Sequence, residues 1–124
     1  TYPYPMLITL ASQDEQLVHD LAKAIHIHYE EYKNADPGSI GWAMGRQNFQ
    51  WVVPFHQGAV RYFKAIGVWS DADDAHNTRL IQRQTVLATA WQAHQAENPE
   101  DFSAAWMVRR AAALDAAGFD PIWR

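Results

Sequence analysis

The chain has 124 residues, 10 Lys and Arg against 14 Asp and Glu, and no cysteine, with 48% hydrophobic and 19% charged residues. One domain of the commonest size fits that length, and the apolar share offsets chain entropy well enough to exclude a disordered polypeptide. A net charge of −4 with scattered arginines and lysines excludes the basic field that a phosphate backbone attracts, so no nucleic-acid partner is expected. The missing thiols exclude disulfides, thiol catalysis, zinc ribbons and cysteine-ligated clusters.

Residues 1–12, "TYPYPMLITLAS", place prolines at 3 and 5 before an apolar run, Met6–Leu10, short enough for one strand or an extended connection. A single strand makes no sheet, so its neighbours are expected in another chain or in sequence outside this one. The start at Thr1 rather than methionine is read as a mature product, a trimmed chain or a piece of something longer. "SQDE" at 12–15 reads as a capping box, Ser12 with Glu15, opening a helix. Leu17, Val18, Leu21, Ile25, His28, Tyr29 and Tyr32 recur at helical spacing as one apolar stripe, and "NADPG" at 34–38 stops it.

"SIGWAMGRQN", 39–48, reads as a short helix weakened by Gly41 and Gly45, each costing roughly 0.5–1 kcal/mol against alanine. After the apolar connection "FQWVVP", "HQGAVRYFKAIG" predicts a three-turn helix with Ala59, Val60, Phe63 and Ile66 on one side and Gly67 as its stop. Ser70 with Asp73 caps a long helix over 71–97, whose contact face is marked by Leu80, Gln84, Leu87, Trp91 and His94. Asn98 is expected to cap a last helix, with Pro99 in its first turn, ending at Ala117 with Gly118 in the left-handed stop and Phe119 making its hydrophobic contact. The fold class expected is mainly α, four to five helices with one short N-terminal strand or extended segment, in a single helical domain over 1–124.

Six histidines raise the question of metal, because imidazole is a common ligand for zinc and copper. Their spacing argues against it. His19 and His26 share a face but stand seven apart, His26 and His28 point different ways, and "HYEEY" at 28–32 lacks the H-E-x-x-H pattern. No metal site and no cofactor is expected. Ser12, Ser39, Ser70 and Ser103 lie near predicted helix starts, and no G-x-S-x-G elbow or phosphate loop occurs. Glu30 with Glu31 and Asp73 with Asp74 fit exposed faces or first turns, so no enzyme is expected. The excess lies in sixteen large aromatic residues, which predicts a cluster at an interface and a homodimer as a candidate assembly.

"YPYP" at 2–5, "DEQLVHDLAKAIHIHYEEYKNADP" at 14–37, "VVPFHQGAVRYFKAIGVW" at 52–69 and "HNTRLIQRQTVLATAW" at 76–91 together resemble the C-terminal part of TAXI-type solute receptors, the extracytoplasmic binding proteins of TRAP transporters. The most specific portion is Pro54, an aromatic, His56, Gly58, then Arg61, Tyr62 and Gly67. The chain departs from that pattern at Gln57, where the family has proline, and at Phe63 and Ala65, where it has tyrosine and an acid. The resemblance implies a fragment of a larger α/β two-lobed periplasmic binding protein that captures a small, often anionic solute and delivers it to membrane subunits. It implies binding of the solute only together with a missing N-terminal portion, and a periplasmic location.

Within "PFHQGAVRYF" the residues themselves describe a helix entrance. Pro54 keeps its neighbours extended, Gly58 permits close approach of another backbone, Val60 and Phe63 face inward, and Arg61 and Lys64 reach outward. A neutral His56 at the helix start is expected to accept an amide hydrogen bond.

Overall fold

The computed structural model describes residues 6–123, in which five α-helices and two 3₁₀ segments follow one another and no strand occurs. The helices are α1 (Glu15–Ile27), α2 (Tyr29–Tyr32), α3 (Gln57–Ala65), α4 (Asp71–Glu97) and α5 (Phe102–Ala116). The mainly α class is therefore what the sequence led us to expect. "YPYP" with Tyr2 and Tyr4 lies outside the described residues. Met6–Leu10 forms no strand, and its apolar side chains are exposed.

Several boundaries differ from the sequence reading, each for a local reason. The N-cap of α1 is Asp14, whose carboxylate accepts from the Leu17 N–H at 2.8 Å, not Ser12. Aspartate caps as well as serine does, and from position 14 it keeps Glu15 in the first turn, where the helix dipole favours an acid. The predicted helix to Tyr32 breaks at His28, where the ring Nδ1–H donates to Glu31 at 2.7 Å and the short α2 begins anew. Residues 37–46 form two 3₁₀ segments, Pro37–Trp42 and Met44–Arg46, rather than an α-helix. Asp36 caps the first of them by accepting from the Gly38 N–H at 2.7 Å. Asn98 does not start the last helix. It sits at φ 44° after α4, while Asp101 caps α5 by accepting from the Ala104 N–H at 3.1 Å.

Other local signals hold. Ser70 and Asp73 form a reciprocal cap in which the Asp73 N–H donates to Ser70 Oγ at 3.2 Å and the Ser70 N–H donates back to Asp73 Oδ2 at 2.9 Å. Gly67 and Gly118, both at φ 74°, end α3 and α5 in the left-handed conformation that glycine adopts without steric cost. In each case the next residue donates back into the last turn, Val68 to Phe63 at 3.1 Å and Phe119 to Leu114 at 2.8 Å.

The residues group into two compact units, one up to Asn77 and one from Thr78 onward, with the division inside α4. The core of the first unit is Val18 of α1 against Ala59, Val60, Tyr62 and Phe63 of α3, with Trp69. Phe49 and Phe55 complete it through ring contacts, Phe49 to Phe63 at 4.9 Å and Phe55 to Trp69 at 5.5 Å between centroids. Of the stripe predicted on α1, Val18 is buried, but Leu17 and Leu21 are 55% and 43% exposed. α3 packs on the Val18, His19, Ala22 and His26 side of α1, which only borders the predicted stripe, so Leu17 and Leu21 point away from it. Ile66, expected inside, is likewise on the exposed side.

In the second unit the rings of Trp91, His94, Phe102 and Trp106 interlock, with Trp91 to Trp106 at 4.8 Å and His94 to Phe102 at 4.3 Å. Leu114, His94 and Pro121 are its fully buried side chains. Gln84, placed on the contact face from sequence, is exposed, and Ala90 takes a buried place on that helix. Arg79 holds the end of α5, donating to the Gly118 carbonyl at 2.8 Å with its guanidinium 4.5 Å from the Phe119 ring centroid.

Candidate functional site

Four residues singled out in "PFHQGAVRYF", His56, Gly58, Arg61 and Tyr62, converge on the seam between α3 and α1. Two clamps prepare it. Asn77, buried on the first turns of α4, accepts the Phe55 N–H at 2.7 Å and donates to the Phe55 carbonyl at 3.4 Å. One turn position earlier, His76 donates from Nε2 to the Trp51 carbonyl at 2.7 Å, and Gln50 donates to Asp73 at 3.3 Å. The segment 50–55 has no regular structure to satisfy its backbone, so side chains of α4 do it. Pro54, which has no N–H to satisfy, is half-buried between the two clamps.

His56 is the N-cap of α3. Its Nδ1 accepts the Gly58 N–H at 3.1 Å, and its Nε2 lies 3.1 Å from the Gln13 carbonyl. A neutral imidazole carrying its proton on Nε2 satisfies both contacts, and so ties the start of α3 to the residue before α1. Gly58 comes next. A β-carbon there would lie 2.3 Å from the Glu15 carbonyl oxygen and 2.9 Å from the His19 amide nitrogen. Only hydrogen fits where the two backbones approach that closely.

Arg61 crosses the same seam on its exposed side, donating to Glu15 at 3.0 Å and to Gln16 at 2.6 Å. Tyr62 crosses on its buried side. Its hydroxyl is 2.7 Å from His26 Nδ1, and the His19 ring stands edge-on to it at 5.5 Å. The seven-residue spacing of His19 and His26 thus brings both rings to one tyrosine. Gly67 is not part of the seam; it ends α3 with open space around the position of a β-carbon.

The charges are set by these contacts. Burial pushes the Tyr62 phenol above its usual range. The Ser70 hydroxyl and amide, then Gln50 and His76, hold the Asp73 carboxyl below the usual carboxylate range. Lys64, at 2.7 Å, and the Trp69 indole do the same for Asp74. Gln16 and then His19 lower Asp20.

Every one of the six histidines has a hydrogen-bonding partner for a ring nitrogen, including His94, whose Nε2 lies 2.8 Å from the Phe102 carbonyl. Among the described residues no three His, Asp or Glu side chains are grouped to hold a metal ion, and no helix is long and apolar enough to cross a membrane. The seam holds helices in register. It presents no exposed nucleophile with a base behind it. Sequence reasoning missed His76 and Asn77 as backbone clamps, since "HN" at 76–77 carries no local sign of which loop will reach it.

Comparison with known proteins adds one finding. A family model described as the NMT1-like family matches residues 4–67, the stretch that contains α1, α3 and the whole seam between them. No curated protein and no solved structure matches the chain.

Proposed function

The chain belongs to the NMT1-like family, a family related to periplasmic solute-binding proteins, and from that premise we propose that it is the C-terminal helical portion of a TAXI-type receptor of a TRAP transporter. Families of this kind bind and hand over solutes rather than transform them. In this reading residues 1–124 form one helical domain of a longer, two-lobed periplasmic receptor. The intact receptor takes up a small, anionic organic solute and docks on the transporter's membrane subunits. The observation that supports it most is the seam itself: His56, Gly58, Arg61 and Tyr62, four of the residues most specific to the resemblance, act where α3 meets α1.

The reading is tested on the product of the full reading frame. Sequence encoding a two-lobed α/β receptor is expected upstream of Thr1, and the intact product is expected to bind a small carboxylate in calorimetry against a panel of mono- and dicarboxylates. A frame without receptor-like sequence upstream overturns the assignment. Binding confined to neutral solutes overturns the anionic part alone.

A second reading is a self-standing helical dimerisation module with no cleft of its own. One observation favours it: apolar side chains on helices, among them Leu17, Leu21 and Val108, stay exposed.

A further inference from the structure

Helices α4 and α5 face one another with their chain directions opposed, since Trp91 meets Trp106, His94 meets Phe102, and Arg79 meets Gly118. Two helices bury one stripe each and need a further layer to cover the groove along their outer side. That groove is a trough of about 740 Å³ in which Ala90, Ala105, Ala112 and Ala113 form a hollow of small side chains. Val108, 72% exposed, stands in its wall, and Glu97 and Arg109 pair across its rim. His94 also lines it, wholly buried, and its Nδ1 has no hydrogen-bond partner within the described residues.

We infer that this trough is a self-association face, occupied by a second copy of the chain across a two-fold axis. The inference rests on the dimerisation reading and names its surface. Its ground is self-complementarity. A two-fold contact brings the same patch from both partners, so the patch must carry both members of every match. This one does. Val108 is the knob and the alanine hollow is the hole, as in helix packing generally, and Glu97 and Arg109 supply both signs of charge on one rim. Across the axis each Arg109 meets the partner's Glu97 while its own Glu97 remains beside it. The trough is also preformed: His94 is locked among Trp91, Phe102 and Trp106, so little ordering is required on contact.

Sedimentation equilibrium of the full chain from micromolar to millimolar concentration tests this, with circular dichroism to verify helicity. A wild-type dimer is expected. Val108→Glu, at a site exposed enough to leave the fold intact, is expected to weaken it about tenfold or more. Glu97→Arg is expected to weaken it as well, and the exchange Glu97→Arg with Arg109→Glu to restore it, which holds as the deciding comparison if Val108→Glu loses helicity. A wild-type monomer throughout overturns both the inference and the dimerisation reading. A dimer untouched by Val108→Glu and by Glu97→Arg but dissolved by Leu17→Glu with Leu21→Glu on α1 overturns the trough alone.

Discussion

Gly58 lies so close to α1 that the carbonyl oxygen of Glu15 occupies the space a β-carbon would take, at 2.3 Å. Contact that tight cannot be relieved by rotating a side chain, because the opposing atom is backbone. The two helices must separate, and Val18 and Val60 between them lose their packing. Alanine favours a helix over glycine by about 1 kcal/mol, so propensity alone would make Gly58→Ala stabilising. Overpacking costs about 1–3 kcal/mol and more where backbone must move, and it decides the sign. Urea unfolding of Gly58→Ala is expected to show a net loss of stability.

His56 joins two helix starts with one ring. His56→Ala removes the cap on Gly58 and the contact to Gln13, and is expected to cost about 1–2 kcal/mol, within the range for lost N-caps. His56→Asn keeps a side-chain acceptor for the cap but gives up the reach to Gln13, so its midpoint should fall between the two. An unchanged melting temperature for His56→Ala at neutral pH refutes the capping role.

Asn77 satisfies both backbone groups of Phe55 from a position that is only 4% exposed. Asn77→Ala leaves the Phe55 N–H without an acceptor in a half-buried place, which costs about 1–3 kcal/mol. Asn77→Asp keeps the acceptor but turns a second acceptor toward the Phe55 carbonyl. Thermal unfolding should therefore rank wild type above Asn77→Asp, with no recovery of stability from the added charge.

The Asp73 carboxyl, held below its usual range by Ser70 first, makes part of the fold's acid sensitivity predictable. As pH falls the unfolded chain takes up its proton before the folded one. The stabilisation is thus complete above the ordinary carboxylate range, about pH 4, and is lost as pH falls through the lower folded value. Urea midpoints of wild type and Asp73→Asn measured at pH 7 and pH 3 are expected to differ more at pH 7. A constant difference across that span would show that the charge contributes nothing.

What the sequence by itself determined is local. The Ser70–Asp73 cap, the left-handed stops at Gly67 and Gly118, and the inward Ala59, Val60 and Phe63 of α3 each rest on residues within about one turn of one another. The resemblance likewise singled out the residues of the seam, and His56, Gly58, Arg61 and Tyr62 turned out to share one contact surface with α1. Tertiary structure decided the rest. Whether Ser12 or Asp14 would cap α1 turned on a near tie between two good caps. Which part of the α1 stripe would be covered depended on the side on which α3 packed, that of Val18, Ala22 and His26, leaving Leu17 and Leu21 outside. The partners of His26 and Asn77 stand 36 and 22 residues away along the chain. Contacts over such separations depend on how packed helices bring distant backbones together, and no periodicity in a sequence encodes that.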